Sequence, residues 1–341
     1  MRFVLLGFPV VLALMAACGS FEGGDGEPSE DAGSYDATSS SDSGGGDSAT
    51  GSDASDAKEA GACDPLAPFT KFEPVVGNVN TPVSESSPSL TDDETEMMFW
   101  AFGARNDGGP FADNGDHEIW VARRATRNDP WSASIVSELA SKPIDGGKTG
   151  IDLDPAISGD GLTLVYSTQR AGFGPYELFH ASRNSRSVAW GTPTIIDSLK
   201  SPDFETGSHF SADGSRLYFV RDQGPIATAR VYEAPITGGT IGPPSALVGP
   251  VNDVSSGHPA LSADGLTLYV SRYDEADQTH YRIWRAQRPS TAQAFGAPAL
   301  VADLVKGWAQ FPGWLSRDNC RFYFTMRETE GSQTDIWVAS R

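Results

Sequence analysis

The chain has 341 residues, and 45 acidic side chains against 25 basic ones give it a formal net charge of −20. This balance leaves little basic surface for phosphates, which argues against nucleic acid as a partner and against purely electrostatic attachment to an anionic membrane. Hydrophobic residues make up 39% of the chain, enough for a core, whereas 37 glycines and 23 prolines argue against long helices. We therefore expect an all-β fold.

Residues 1–17 have the pattern of a secretory signal peptide. Arg2 is followed by an apolar run from Phe3 to Met15, and small residues precede Cys18. The run is shorter than the ~20 residues of a membrane-spanning helix. The sequence therefore predicts export across the inner membrane.

The end of this run, Leu14–Cys18, resembles the lipobox of bacterial lipoproteins. The resemblance implies cleavage before Cys18 and acylation of its thiol, which attaches the protein to a membrane. Gly19 stands where an Asp would signal retention at the inner membrane, so the same resemblance favours the outer membrane. An ordinary signal peptide with an incidental cysteine is the alternative.

Residues 18–62 are predicted to form a flexible tether behind the lipid anchor. Positions 19–62 contain 10 Gly, 10 Ser and 11 acidic residues, and Lys58 is the one basic residue among them. Such a segment buries too little apolar surface to offset its chain entropy, so we expect it to be disordered. About half of the net charge belongs to this tether and says nothing about the folded domain.

Residues 63–341 contain a repeat that occurs five times, at intervals of 51 to 67 residues. Each copy has a Ser- or Thr-containing turn with an aspartate, then an apolar strand such as Leu217–Val220, then a segment such as Ile283–Ala286. A fourth short apolar segment follows. Four short β segments per ~50 residues are typical of a β-propeller. We assign a structural role in tight hairpin turns to Asp93, Asp160, Gly161, Asp213, Gly214, Asp264, Gly265 and Asp318.

The pattern Ser-x-Asp-Gly, Leu-Tyr-Phe and Ile-Trp resembles the PD40 (WD40-like, TolB-type) propeller repeat over roughly residues 69–341. The resemblance implies a domain that acts as an interaction module. TolB-type relatives usually have six blades, whereas five copies are visible here. The sequence therefore predicts five four-stranded blades, with six as the alternative.

The chain ends predict how the ring closes. The last repeat stops at Arg341 after its third strand, and an unassigned strand, Phe72–Val76, precedes the first repeat. If that strand completes the last blade, no sheet edge stays exposed. Cys63 and Cys320 would then meet, and a disulfide between them would be worth roughly 2–4 kcal/mol. Two unrelated thiols are the alternative.

Polar residues that lead into the innermost strands are expected to crowd around the propeller axis. A cation or a sugar could bind there, although solvated loop residues are the simpler interpretation. Three carboxylates among them, Glu85, Asp152 and Glu205, are candidates for the acid and base of a glycosidase or lyase. The full axial set is Glu85, Asp152, Asp154, Glu205, His209, His258, Trp308 and Gln310. No metal site and no cofactor are predicted.

Two functions remain open. The first is a monomeric envelope lipoprotein whose propeller binds an envelope protein or a cell-wall or surface glycan, with Phe102, Phe111 and Phe173 as contact residues. The second is an enzyme that uses the axial carboxylates. The resemblance to an interaction domain favours binding over catalysis.

Overall fold

The computed structural model describes residues 63–102, 117–136, 139, 151–169, 175–223, 229–273 and 280–341. The predicted signal peptide, Cys18 and the tether lie outside these residues. Within them the chain forms five small antiparallel sheets and short 3-10 helices at Asp197–Leu199, Pro250–Asn252 and Ala302–Leu304. No helix among these residues is long and apolar enough to cross a membrane.

The five sheets are the blades of a β-propeller, so the predicted fold and blade number are confirmed. The first strands of successive blades contact one another around a closed ring, β2 to β6, β10, β15, β19 and back to β2. The strands are β2 (Glu85–Leu90), β3 (Glu96–Phe102), β4 (His117–Arg123) and β5 (Ser132–Ile135) in blade 1; β6 (Asp152–Ile157), β7 (Thr163–Thr168), β8 (Glu177–Ser182) and β9 (Thr194–Ile195) in blade 2; β10 (Phe204–Phe210), β11 (Arg216–Asp222), β12 (Arg230–Thr237), β13 (Thr240–Ile241) and β14 (Ser245–Ala246) in blade 3; β15 (Gly257–Leu261), β16 (Thr267–Tyr273), β17 (Tyr281–Gln287) and β18 (Ala299–Leu300) in blade 4; and β19 (Ala309–Leu315), β20 (Arg321–Arg327), β21 (Thr334–Ser340) and β1 (Lys71–Pro74) in blade 5.

An aspartate organises the turn between the first two strands of every blade. In blade 2 the Ser158 hydroxyl donates to Asp160 Oδ1 at 2.6 Å, and the Leu162 amide donates to the same oxygen at 2.9 Å. The residue after the aspartate has a positive φ in all five turns, which glycine adopts at little cost. The hydroxyl-to-aspartate contact recurs at Thr91–Asp93, Ser211–Asp213, Ser262–Asp264 and Ser316–Asp318.

Four blades share a clamp made of this turn, an arginine after the third strand and an aromatic ring. In blade 2, Arg183 Nε donates to the Gly161 carbonyl at 2.8 Å while its guanidinium lies 4.2 Å over the Trp190 ring. A stacked guanidinium contributes about 0.5–2 kcal/mol. The equivalent arginine–ring pairs are Arg124–Trp131, Arg288–Phe295 and Arg341–Phe69. Blade 3 has Ile236 in place of the arginine.

The N-terminal segment completes the last blade. Strand β1 pairs with β21, with Phe72 opposite Ala339, and begins one residue before the predicted strand and ends two residues before its predicted end. Phe69 supplies the clamp ring, which in the other three clamped blades comes from the segment before the fourth strand. Cys63 and Cys320 form a disulfide across 257 residues of chain, and the Cys63 amide donates to the Asp318 carbonyl at 2.7 Å. Closure therefore depends on residues from both ends of the domain.

Replacing Cys63 and Cys320 together by serine should lower the free energy of unfolding by about 2–4 kcal/mol, because the disulfide restricts a very long loop of the unfolded chain. Chemical denaturation with and without a reducing agent measures this change. The reductant should destabilise the parent protein by a similar amount and leave the double variant unaffected. Equal stability of the oxidised parent and the double variant would contradict a stabilising role of the disulfide.

Candidate functional site

The first strand of every blade contains a β-bulge, and these bulges shape the axial channel. The bulged residue has a positive φ at Ser87 (57°), Asp154 (49°), Gly207 (60°) and His258 (48°). This conformation costs a non-glycine residue on the order of 1 kcal/mol and is concentrated at functional sites. Blade 5 has Pro312 at this position, whose ring holds φ negative.

A cavity of about 120 Å³ lies on the axis at the end where the first strands begin, which we call the upper face. The second aligned residue of each first strand contributes to it, and second strands and neighbouring loops supply the rest. The lining residues are Ser86, Trp100, His117, Leu153, Asp154, Tyr176, Thr206, Gly207, Val220, Asp222, Ala229, Ser255, Gly257, His258, Ser271, Tyr281 and Phe311.

Aromatic rings form much of the cavity wall. On one side the Phe311 ring lies 5.2 Å from the Tyr281 ring and 5.0 Å from the His258 ring, measured between centroids. On the other side the Trp100 ring lies 4.9 Å from the His117 ring. Burial, with the nearby Asp154 carboxylate, raises the pKa of Tyr176 to about 12, so that this wall residue keeps its proton at neutral pH.

Asp154 is the centre of the polar contacts in the cavity. It accepts hydrogen bonds from the Ser87 hydroxyl at 2.6 Å and from the Gly207 amide at 3.1 Å. The Trp100 indole N–H donates in turn to Ser87 Oγ at 3.2 Å. His258 Nδ1 lies 2.9 Å from Ser271 Oγ, and burial lowers the pKa of His258 against the opposing effect of Asp154. A fixed carboxylate and an imidazole therefore face a mostly apolar cavity.

The channel narrows directly below the cavity. The residues after the bulge are Pro88, Pro155, Ser208, Pro259 and Gly313, and they meet around the axis. A Cβ added at Gly313 would lie 2.6 Å from Pro88 Cγ and 2.7 Å from the Pro88 carbonyl oxygen. Gly313 and Pro88 are thus packed to backbone contact, and the free volume at the waist is about 20 Å³, which is too small for a ring-sized ligand to pass.

Of the eight predicted axial residues, Asp154 and His258 line the cavity. Glu85 and Glu205 do not: they occupy equivalent positions at the start of β2 and β10 and are 0% and 1% exposed. Each carboxylate accepts a hydrogen bond from a hydroxyl four residues earlier, on Thr81 or Ser201. Glu205 also pairs with Arg221 at 3.2 Å. The expected convergence of these carboxylates on the axis is therefore not found.

Asp152 and Gln310 occupy the same first-strand position and are likewise buried away from the cavity. Gln310 Oε1 lies 3.5 Å from Arg282 Nη1 of the neighbouring blade. Trp308 lies beside the channel, where its ring contacts His280 and Arg327. Asp152 and Gln310 therefore lie at the beginning of β6 and β19 without entering the cavity.

His209 lies below the waist. Its Nε2 accepts a hydrogen bond from the Leu261 amide at 3.1 Å, and burial lowers its pKa to about 4, which keeps the ring neutral. Ser89 makes the same contact between blades 1 and 2 by accepting from the Ile157 amide at 3.0 Å. His209 therefore joins adjacent first strands.

Sequence reasoning missed Ser87, Trp100, Tyr176, Tyr281 and Phe311. Ser87 aligns with Asp154 and His258 in the repeat, and this alignment was the signal that could have found it. Trp100, Tyr281 and Phe311 belong to the apolar strands, where nothing separates a cavity ring from a core ring. Of the proposed contact aromatics, Phe111 and Phe173 lie outside the described residues, and Phe102 packs on His117 with centroids 4.9 Å apart.

Within the described residues no group of three or more His, Cys, Asp or Glu side chains is arranged to hold a metal ion. The cavity offers two carboxylates, two imidazoles, hydroxyls and aromatic faces. This combination suits a neutral polar ligand that carries both hydroxyl groups and apolar ring faces.

The chain matches no protein-family model and no curated protein. Solved structures share its fold. TolB from Acinetobacter baumannii is 13% identical with a TM-score of 0.42, and the match covers 79% of this chain and 63% of that one. This chain thus spans less than two thirds of that TolB.

Two glycoside hydrolases are also similar in structure. A thermostable family-43 enzyme is 14% identical with a TM-score of 0.51, and the match covers 78% of this chain and 91% of that one. The GH43_1 enzyme from Xanthomonas citri, solved with xylotriose, is 13% identical with a TM-score of 0.52 over 78% and 89% of the two chains. Such identities show a shared propeller fold alone, and the PD40 repeat and the lipoprotein signal stay predictions.

Proposed function

We propose that this protein is a cell-envelope lipoprotein whose propeller binds a glycan through the axial cavity of the upper face. The observation that carries the proposal is the Asp154 carboxylate, held by Ser87 and Gly207 within a cavity walled by aromatic rings. Carbohydrates need both features, because their C–H faces pack on aromatic rings and their hydroxyls donate to carboxylates.

The size of the cavity limits the ligand. Its volume of about 120 Å³ is similar to that of the ~150 Å³ apolar cavity known to hold one benzene molecule. One six-membered ring therefore fits below the upper face, and the rest of the glycan would stay outside. The closed waist supports binding of a chain end over threading of a polymer.

A hydrolase is the second candidate function, and one observation favours it. Two carboxylates, Asp154 and Asp222, line the cavity, and a pair of carboxylates is what glycoside cleavage uses. Glu85, Asp152 and Glu205 do not support it, because all three are buried outside the cavity. We rank binding above hydrolysis because two donors, the Ser87 hydroxyl and the Gly207 amide, hold the Asp154 carboxylate as a fixed acceptor.

The anchor and location are part of the proposal. Acylation of Cys18 would hold the propeller at the outer membrane through the acidic tether, as the lipobox-like segment and Gly19 suggest. Because β1 and the disulfide lie at the start of the folded domain, the tether would join the ring at its closure point.

Replacing Asp154 by asparagine should weaken saccharide binding about tenfold or more, because it removes the charge from the acceptor while keeping its shape. Saturation-transfer NMR with xylose, galactose and N-acetylglucosamine measures this. Glu205→Gln is the matched control and should bind like the parent. Loss of binding in Glu205→Gln but not in Asp154→Asn would contradict the proposed binding site. Release of reducing ends from xylan by the parent but not by Asp154→Asn would favour the hydrolase function.

Glu85 should make the fold less stable as pH rises. Burial raises the pKa of Glu85 to about 8, against hydrogen bonds from Thr81 that lower it. The unfolded chain releases this proton near pH 4.5, so the free energy of unfolding should fall between pH 4.5 and about 8, by on the order of 5 kcal/mol. Urea denaturation across this range should show a flatter profile for Glu85→Gln, and the exposed control Glu73→Gln should keep the parent slope. Identical slopes for parent and Glu85→Gln would contradict this account.

Replacing Cys18 by alanine should abolish lipid attachment and release the propeller from the membrane fraction. Metabolic labelling with palmitate, followed by fractionation of the envelope, measures both effects. Cys63→Ala is the matched control, because that thiol is assigned to the disulfide. Labelling that persists in the Cys18 variant would refute the anchor.

A further inference from the structure

A groove of about 400 Å³ lies between blades 3 and 4 on the face of the hairpin turns, opposite the axial cavity. It is bordered by the turns that contain Asp213 and Asp264, and Arg216, Tyr218 and Arg288 form its inner wall. No described residue fills it. The other blade junctions show what usually occupies this place.

At the junction of blades 5 and 1, the carboxylate of Glu94 fills the equivalent place. Arg321 Nε lies 3.0 and 2.9 Å from the two Glu94 oxygens, and Arg321 Nη2 lies 2.6 Å from Oε1. The Tyr323 hydroxyl donates to Glu94 Oε2 at 3.1 Å. Arg124 Nη2 lies 3.6 Å from the same oxygen. Two guanidiniums and a phenol thus form a carboxylate site within the ring.

The same three side chains are present at the open groove. Arg216 begins β11 as Arg321 begins β20, and Tyr218 follows two residues later as Tyr323 does. Arg288 is the clamp arginine of blade 4, and its Nε donates to the carbonyl of Gly265 at 2.8 Å. Arg124 makes that contact to the carbonyl of Glu94 at 2.7 Å.

The two junctions differ at the residue that carries the carboxylate in blade 1. Gly265 follows the turn aspartate where Glu94 does in blade 1, and both have a positive φ, +67° and +56°. A Cβ at Gly265 would find Arg288 Nη2 and Thr291 Cγ2 at 3.5 Å, which is ordinary contact. The groove is therefore the Glu94 site without its glutamate.

Two other junctions are filled by oxygen acceptors that face the equivalent arginines. Between blades 1 and 2, Arg183 Nη2 and Arg186 Nε donate to Glu96 at 2.5 and 3.1 Å. Between blades 4 and 5, Arg341 Nη1 donates to the main-chain carbonyls of Pro65 and Ala67 at 2.8 and 2.9 Å. The latter contact shows that the main-chain carbonyls of a crossing peptide segment can also satisfy an arginine at such a junction.

We infer that the groove between blades 3 and 4 binds the carboxylate of a glutamate side chain presented by a peptide segment of a partner protein. The carboxylate takes the place of Glu94 between Arg216, Arg288 and Tyr218, and the flanking backbone lies along the turns. Glu233 shares Arg216 at 3.3 Å, and the Asp213 and Asp264 carboxylates also border the groove. These acids limit the affinity and select a peptide with one acidic residue over a polyacidic one.

Gly265→Glu should supply the missing carboxylate within the chain. We expect its melting temperature to exceed that of Gly265→Gln by roughly 2–4 °C, because both variants carry the same strain and only one carries the charge. A Gly265→Glu melting temperature equal to or below that of Gly265→Gln overturns the inference, since the arginines then hold no carboxylate.

Binding by the full chain is tested by titration calorimetry with the blocked pentapeptide Ala-Ala-Glu-Ala-Ala and its counterpart with a central glutamine. The parent should bind the glutamate peptide about tenfold more tightly than the glutamine peptide. Arg216→Gln should lose this preference, and Gly265→Glu should lose binding because its own side chain fills the site. Equal affinity of the parent for both peptides, no binding, or unchanged binding in Gly265→Glu overturns the inference.

Discussion

Closure of the last blade is the constraint on which the rest of the molecule depends. A propeller has no blade that is stable alone, because each sheet buries its faces against two neighbours and the ring must have no gap. Here the closing strand comes from the other end of the domain, and it brings Phe69 under Arg341 and Cys63 beside Cys320. One short segment therefore restores the fourth strand, the clamp ring and a covalent link that the last repeat lacks.

A closed ring of five also determines the character of its axis. Five first strands leave a narrow channel, and a bulge in each one turns the bulged residue toward it. The strain of a positive φ at Asp154 and His258 is retained because the neighbouring blades pack on both sides of each strand. Proline and glycine at the waist close the channel below, so the bulges create a single-ended cavity instead of a pore.

Five repeats with the same turn chemistry were enough to predict the blade number, the closing strand and the pairing of Cys63 with Cys320, because all of these follow from spacing and chain ends. The site was harder to predict because of the bulges. A regular strand alternates its faces, so Ser86 and Ser89, three residues apart, would point to opposite sides. The bulge between them brings both to the channel and leaves Glu85 in the blade interior, where it is hydrogen-bonded to the Thr81 hydroxyl. Sequence alternation alone carries no sign of that shift.

Because the five blades share one scaffold, each serves as a control for the others. Where the copies agree, as in the turn aspartates and the clamp arginines, the shared residue maintains the fold. Where one blade carries a different residue at a position with the same backbone geometry, the stability of the fold does not require that residue. Glycine follows the turn aspartate at Gly161, Gly214 and Gly265, so Glu94 is the departure at this position. At Gly265 two arginines and a tyrosine surround an open groove, in which Arg216 pairs with Glu233. Asp154 and His258 do differ from the repeat. They occupy strained axial positions at which the other blades have serine, glycine or proline. The proposed glycan site thus rests on residues that depart from the repeat, whereas the proposed peptide groove rests on a glycine that the repeat retains.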